Sequence, residues 1–370
     1  MCNLSKSNSN SDWPQENSER PAEGLGQSAD VRQAVARWLT VSDSLLLVTH
    51  DRPDGDALGA VVALARAARL RGKTARVVLP EPVPRKYAFL MEGEQTLDAA
   101  GFAEAVKSAD CVLVLDTCSW PQLTSVAATL RAVKQKVVVI DHHRTHEDVG
   151  AVAWIDDHAA AAGVMVTELL ERLGWSVDMP GARAALTAIC SDTGWLRFSN
   201  TDSRALAAAG RWLDFGVDPA GLYRLIFEND RPQRIALLSR VLAGLRLFCQ
   251  DRLAVMTILR ADFAQTGATP DETENMINEA MRIGTVEVAV MLVETESATR
   301  VSLRSKSPDI ATGRPSVDVS AVAQLFGGGG HARAAGFRLA EPPAQVGVKL
   351  VEAIEPLLGR PPSGGAVQKN

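Results

Sequence analysis

Four short runs, "SLLLVTH" (44–50), "ARVVLP" (75–80), "ADCVLVLD" (109–116) and "QKVVVIDHH" (135–143), are almost wholly aliphatic, with helical patterns such as "ALGAVVALARAARLRG" between them. A strand with one wet face alternates apolar and polar residues, so a run without a polar face must be covered on both sides. Strands of this kind alternating with helices specify a parallel sheet with helices on both faces, an α/β domain. In open α/β sheets ligands bind beyond the carboxyl ends of the strands. Three of those ends carry the polar residues: His50 with Asp54 and Asp56, then Asp116, then Asp141, His142 and His143.

A more helical region follows, from "AAAAGVMVTELLERLGW" to "ARAALTAICSDTGWLRFSNTDSRALAAAGRWL", and places Asp192 in apolar surroundings. Residues 217–250 read as largely helical, with "ENDRPQR" a break and "IALLSRVLAGLRLF" a connecting helix. Strand patterns restart at "RLAVMTILR", "EVAVMLVET" and "ATRVSLRSK", with an acidic helical stretch around "TPDETENMINEAMRI". The expected organisation is a disordered tail over 1–29, a first domain over 30–227, a helical linker over 228–250, a smaller α/β domain over 251–357 and a solvated tail over 358–370. The active site is expected in the cleft between the two domains.

Composition excludes several classes of function. The 370 residues carry 39 basic and 44 acidic side chains, net −5, which argues against a broad basic surface that holds long nucleic acid. A short charged substrate in a local pocket is still accommodated. The five cysteines (Cys2, Cys111, Cys118, Cys190, Cys249) form no CxxC pair and no disulfide framework, as expected of a protein in a reducing cytoplasm. No apolar stretch approaches the ~18 residues of a membrane span, and the polar N-terminus lacks a signal-peptide core.

The stretch "HDRPDGDALG" (50–59) crowds His50, Asp51, Asp54 and Asp56 together, where like charges repel. A bound cation offsets that repulsion. Each aspartate alone is ordinarily a helix cap or turn residue, but the whole set at one sheet edge is more than capping needs. An oxygen-rich set with one or two imidazoles suits Mn²⁺ or Mg²⁺ better than a structural zinc. The number of ligands exceeds one ion's needs, and two adjacent ions satisfy it.

The ordered combination "HDRPDGDALG", "VLDT", "VVIDHHRT", "SDTGWLRF" and "GGGGHARAAGF" resembles the DHH phosphoesterase superfamily with its C-terminal DHH-associated domain, over roughly residues 30–357. Within it the chain is most similar to bifunctional oligoribonuclease and pAp phosphatase enzymes. The resemblance implies that His50, Asp54 and Asp116 hold one Mn²⁺ (Mg²⁺ or Co²⁺ as alternatives), while Asp56, Asp116, His142 and Asp192 hold the other, with Asp116 as the bridge. It implies that His143 faces the scissile phosphate and that Asp141 orients its neighbours. The substrates implied are oligoribonucleotides of roughly two to five nucleotides and pAp, with no stable complex with long nucleic acid, no membrane association and a homodimeric assembly.

In "FGGGGHARAAGF", Gly328, Gly329 and Gly330 permit backbone with φ > 0 and amides converging on an anion. A flexible turn is the plain alternative. His331 and Arg333 favour the anion reading, since both donate charge-assisted hydrogen bonds. The resemblance assigns this loop to the substrate's distal end and matches Arg304 to a phosphate- or base-contacting position. Gln122 stands where the family often has arginine, and His146 where it commonly has asparagine, so these departures bear on substrate preference. His158 reads as a loop or cap residue, and Cys118 and Cys190 as packing residues rather than nucleophiles. Competing readings are a phosphodiesterase for pGpG or cyclic dinucleotides, a pyrophosphatase or polyphosphatase, a processive exonuclease, and, in a different class, a nucleotide sensor without turnover.

Overall fold

The computed structural model describes residues 25–80, 82–308 and 316–358. The outer parts of the expected tails, 1–24 and 359–370, lie outside the described residues, and a helix already begins at Leu25. The chain divides into two compact units at Asp218/Pro219.

The first unit runs α1 (Leu25–Val41), β1 (Ser44–Val48), α2 (Gly55–Leu70), β2 (Thr74–Val78), β3 (Thr96–Leu97), α3 (Ala99–Ala105), β4 (Cys111–Leu115), α4 (Ala127–Ala132), β5 (Val137–Asp141), β6 (Val152–Ile155), α5 (Ala162–Leu173), α6 (Met179–Asp192) and α7 (Ser203–Asp214). Its six strands are all parallel, in the order β3-β2-β1-β4-β5-β6. Leu46, Val48, Val112, Val114, Val137 and Val139 face α3 and α4. The opposite face carries α2 and α5, so both faces are dry and the uniformly aliphatic strands are explained. In this order the chain reverses direction across the sheet between β1 and β4, which leaves a crevice at their carboxyl ends.

Helices α2, α5 and α6 pack unusually closely because the contacts are made by glycine and alanine. A Cβ on Gly59 would stand 2.3 Å from the Ala184 carbonyl oxygen, and one on Gly163 would stand 2.4 Å from the Ala188 Cβ. These two positions therefore set the separation of three helices whose ends carry Asp56, Asp192 and the α5 amides.

The second unit runs α8 (Pro219–Phe227), α9 (Pro232–Ala243), β7 (Arg246–Phe248), β8 (Leu253–Ile258), α10 (Arg260–Thr266), α11 (Ile277–Ala280), β9 (Val288–Glu294), β10 (Thr299–Ser305), α12 (Val319–Gln324), β11 (Gly329–His331), β12 (Ala334–Leu339) and α13 (Pro343–Leu358). Its sheet, β11-β12-β10-β9-β8-β7, is antiparallel except for β8 with β9. Leu253 and Val255 face α12 and α13, whereas Ala254, Met256 and Ile258 face α9 and α11.

Three local features differ from the sequence expectation. The stretch read as a linker contains β7, which extends the second sheet. The acidic stretch read as helical holds only a 3-10 turn (Pro270–Thr273) and the four-residue α11, interrupted at Asn275 with φ +62°. The glycine-rich run is a hairpin: Gly329–His331 pairs with Ala334–Gly336, and the turn falls at Ala332 and Arg333.

Gly59→Val is expected to cost about 1–3 kcal/mol through overpacking, read as a lower urea midpoint. Gly210→Ala, on a helix position where an added Cβ meets nothing, is the control and is expected to be neutral or stabilising by up to about 1 kcal/mol. Equal midpoints for Gly59→Val and the parent would show that the helices part without cost.

Candidate metal centre

The polar residues at the β1, β4 and β5 ends converge with those at the ends of α2 and α6. Asp54 caps α2, its Oδ1 accepting from the amides of Asp56 (2.9 Å) and Ala57 (3.1 Å). Asp56, fully buried in the first turn of α2, accepts from the first amides of α5, Ala162 (2.6 Å) and Gly163 (2.8 Å). Asp116 follows β4 with φ +61°, a left-handed conformation that costs a non-glycine residue about 1–2 kcal/mol and that aspartate tolerates better than most. Its amide donates to the Ile140 carbonyl at 3.0 Å, which ties this turn to β5.

His142 is the centre of the arrangement. Its Nδ1 lies 3.2 Å from the Ala159 carbonyl oxygen, which can only accept, so Nδ1 carries a proton. Its Nε2 then faces three carboxylates: Asp116 at 3.2 Å, Asp192 at 3.5 Å and Asp56 at 3.6 Å. His50 Nε2 stands 3.7 Å from the other Asp116 oxygen. Asp141, buried, accepts from the amides of His142 (2.9 Å) and His143 (3.3 Å) and from His143 Nδ1 (2.7 Å). His143 Nδ1 is 3.9 Å from Asp116.

Buried polar atoms ordinarily have partners. Asp116 Oδ1, Asp141 Oδ2 and His142 Nε2 are buried with no hydrogen-bond partner among the described residues. Ligating atoms fall within 4.8 Å of one another in three sets: His50, Asp54 and Asp116; Asp56, His142 and Asp192; and Asp116, His142 and His143. The structure thus brings His50, Asp54 and Asp116 together, and Asp56, His142 and Asp192 together, with Asp116 3.2 Å from His142. Hard oxygen donors, neutral imidazoles and orphaned buried atoms fit divalent cations.

The electrostatics point the same way. Burial, then the charges of Asp116 and Asp192, push Asp56 well above the usual carboxylate range. Burial and Asp116 also raise Asp54. Burial together with Asp54 and Asp116 pushes Asp192 up to about 8. Burial opposes the charged form of His142, but Asp116 outweighs it and raises the imidazole to about 11; His50 and His143 are raised against burial by Asp116 and Asp141 respectively. Asp116 alone is held below its ordinary value, because His142 and His50 outweigh its burial.

Sequence reasoning missed the α5 amides on Asp56, the Ala159 carbonyl on His142, and Asn200, whose Nδ2 donates to the carbonyls of Ala160 (3.0 Å) and Asp192 (3.1 Å). The small-residue run "AAAAG" ahead of α5 was the available signal, since only such residues allow so close an approach. Gln122 accepts from the Thr117 hydroxyl at 2.5 Å. His146 is exposed, and His158, 87% exposed, has its ring 3.8 Å from the carboxylate of its neighbour Asp157 and donates its amide to Asp156. Cys118 donates to the Glu147 carbonyl, and burial pushes the Cys190 thiol up to about 12, so neither is a nucleophile.

In the second unit, Arg304 on β10 pairs in register with Ala334, beside Arg333. Arg304 Nη1 donates to the Leu303 carbonyl (3.1 Å) and Arg333 Nη1 to the Lys306 carbonyl (2.5 Å). Burial lowers the pKa of both guanidinium groups, and neither has a carboxylate partner among the described residues. Gly328 and Gly330 serve close strand approach: Cβ atoms there would stand 2.4 Å from the Gly336 oxygen and 2.5 Å from the Ala334 oxygen. His331 lies exposed on β11.

Comparison with known proteins follows the same two-part division. The DHH family, N-terminal domain, matches residues 44–191, and the DHHA1 domain matches residues 250–358. The bifunctional oligoribonuclease and PAP phosphatase NrnA of Thermus thermophilus is 30% identical over 302 residues, 81% of this chain and 85% of that protein. The protein of the same description from Bacillus subtilis is 24% identical over 316 residues, 83% of this chain and 92% of that one. The crystal structure of an exopolyphosphatase-related protein from Bacteroides fragilis has a TM-score of 0.81 at 21% identity, covering 89% of this chain and 98% of that one, a likeness of fold. The chain belongs to the DHH family and carries a DHHA1 domain in its second unit.

Cation binding must displace the protons on His142 and Asp192, so titrating Mn²⁺ into the protein near pH 7 is expected to release acid. Carboxyls raised from 3.8, as Asp192 is to about 8, lose stability for the ion-free chain as pH climbs between those values; His142, raised from 6.5 to about 11, loses its contribution as pH passes through its raised value. The melting-temperature gap between Mn²⁺-loaded and chelator-treated protein should therefore widen from pH 5 to pH 8. A constant gap would contradict this electrostatic account.

Proposed function

We propose that this protein hydrolyses phosphoesters of short nucleotides, taking pAp to AMP and oligoribonucleotides of roughly two to five residues to mononucleotides. The observation that carries the proposal is the meeting of two ligand sets, His50 with Asp54 and Asp116, and Asp56 with His142 and Asp192, at the crevice between β1 and β4, with Asp116 3.2 Å from His142. The activities that the NrnA relatives are named for support the substrate class.

In this reading His50, Asp54 and Asp116 hold one divalent cation, and Asp56, Asp116, His142 and Asp192 the other, with Mn²⁺ ahead of Mg²⁺ or Co²⁺. Such a pair lowers the pKa of bound water and neutralises charge on the phosphoryl oxygens. The protein's own residues do the rest. Asp141 holds His143 through Nδ1, so the ring presents Nε2 to the phosphoryl oxygens or the leaving group as a hydrogen-bond donor. His50 and His143 frame the entrance, being less buried than Asp56 and Asp116. In the second unit, Arg304, Arg333 and His331, beside Gly328, Gly329 and Gly330, are the candidate phosphate- or base-binding residues, because partly buried guanidiniums with no carboxylate partner among the described residues favour an oxyanion.

Full-length protein with Mn²⁺ is expected to turn over pAp and the dinucleotide pApA, and to leave a ~24-nucleotide DNA strand intact. Asp116→Asn, which keeps a residue tolerant of the left-handed turn, should abolish turnover while the protein stays folded. Turnover of the long strand alone would move the protein to a processive exonuclease. A strong preference for pGpG or a cyclic dinucleotide would make it a dinucleotide phosphodiesterase, and tight pAp binding without turnover would make it a sensor.

The role of His143 is separable from metal binding. His143→Gln is expected to lower kcat by about 10²–10⁴-fold, the usual range for a proton-transferring side chain, with two Mn²⁺ still bound. Loss of an ion together with activity would reassign His143 as a ligand.

A further inference from the structure

Beside the metal centre, the first unit holds a cavity of about 540 Å³ lined by His50, Asp51, Arg52, Pro121, Gln122 and Thr124. The volume lies in the range of small-ligand sites. His50 belongs both to this lining and to the ligand set with Asp54 and Asp116, so a molecule in the cavity adjoins whatever the centre binds. Arg52, Pro121 and Gln122 are exposed, and a ligand can reach them.

The walls are fixed in advance. The Asp51 amide donates to the Gln122 carbonyl at 2.8 Å, and the Asp51 carboxylate accepts from the Thr124 amide (2.8 Å), the Thr124 hydroxyl (2.5 Å) and the Ser125 hydroxyl. These bonds tie the loop after β1 to the Trp120–Gln122 turn after β4. The Gln122 amide is oriented as well: Oε1 accepts from the Thr117 hydroxyl at 2.5 Å, which leaves Nε2 as a donor. Arg52 has no carboxylate side chain within ion-pair distance among the described residues, yet its charge formally cancels that of Asp51, so the cavity is not a second anion site. A guanidinium plane, a proline ring and an amide donor suit instead a flat, uncharged body with polar edges, a nucleobase on its ribose.

The two substrates proposed above differ by one such body. In both, water adds to phosphorus, the P–O3′ bond breaks and O3′ leaves with a proton; pAp gives AMP and inorganic phosphate, and pApA gives AMP twice. The leaving group is the same AMP in each. Only the dinucleotide carries a nucleoside beyond the scissile phosphate. We infer that the cavity binds this nucleoside, with the Arg52 guanidinium stacked on the base and Gln122 Nε2 donating to one of its acceptors, an inference that rests on the proposed function. Stacking needs only a π face, which every base has, so the cavity holds the nucleoside without reading sequence. Because pAp has nothing to place there, the phosphatase and oligonucleotide activities are separable at Arg52.

The test compares full-length parent and Arg52→Ala, both with Mn²⁺, on three substrates: pAp, pApA, and pAp methylated on its 3′-phosphate, a diester without the second nucleoside. The ratio of kcat/KM for pApA to that for pAp is expected to fall about tenfold or more in Arg52→Ala, through a higher KM for pApA. The methyl ester should follow pAp. A ratio that does not move, or a loss on the methyl ester equal to that on pApA, overturns the site. Hydrolysis of neither pAp nor pApA by the parent would overturn the proposed function instead, and calorimetric affinities then decide the cavity. The dissociation constant for pApA should rise about tenfold in Arg52→Ala relative to that for pAp, and equal changes for the two ligands overturn the site.

Discussion

One imidazole nitrogen organises the first unit. His142 Nδ1 is committed to a backbone carbonyl, and Nε2 looks at three carboxylates within 3.6 Å. A lone pair facing three negative groups in a buried space is untenable without a positive charge between them. Protons can supply that charge, as the raised values of Asp192 and His142 indicate, and divalent cations can supply more of it. The surrounding carboxylates are not equivalent. Asp54 and Asp56 sit at the start of α2, where the helix dipole favours negative charge, whereas Asp192 is the last residue of α6, where the dipole opposes it. The dipole thus adds to burial in opposing the ionisation of Asp192, and works against it at Asp54 and Asp56.

Bringing these groups together is a packing problem before it is an electrostatic one. The six ligand positions come from strand ends and helix ends, and they meet only if α2, α5 and α6 approach almost to backbone contact. Gly59, Gly163, Ala184 and Ala188 allow that approach. The same closeness lets the α5 amides reach Asp56, so the small residues that look like neutral helix filler determine where a buried carboxylate sits. The left-handed turn at Asp116 is the local strain in this scheme, and its hydrogen bond to Ile140 ties the strained residue to the neighbouring strand.

Much of this was legible in the sequence, for a physical reason. Strands buried on both faces are mostly aliphatic, so β1, β2, β4, β5, β8 and β9 stand out, and the carboxylates at and beyond their ends stand out by contrast. The break at "ENDRPQR" was legible because proline fixed the start of α9 at Pro232. What escaped notice lacks such contrast. Strand β7 has three residues and is followed by Cys249, Gln250 and Asp251, all with positive φ and none of them glycine, so no turn residue announces it. The run Gly327–Gly330 was read as freedom of the backbone. Gly327 and Gly330 do take positive φ, +76° and +138°, and at Gly328 and Gly330 the absence of Cβ also lets two strands come close; composition alone does not separate these uses. The amides and carbonyl that orient Asp56 and His142 belong to alanines and a glycine, whose side chains carry no chemistry to read.

The strand order also explains why a site for phosphoesters is lined with carboxylates at all. In a parallel sheet with this switch point, the turn after the first strand commonly delivers a phosphate straight onto a helix N-terminus, where free amides and the dipole receive it. Here both available N-termini are already occupied by the protein's own anions: Asp54 takes the amides of Asp56 and Ala57 at α2, and Asp56 takes those of Ala162 and Gly163 at α5. An incoming phosphate therefore finds carboxylate oxygens where amides would otherwise stand, and is repelled unless cations intervene. Replacing helix amides by ions trades a fixed partial charge for a full double charge that can also acidify water. Helix termini of that kind position a phosphate, whereas the arrangement in this chain makes phosphate recognition and phosphoester hydrolysis depend on the same ions.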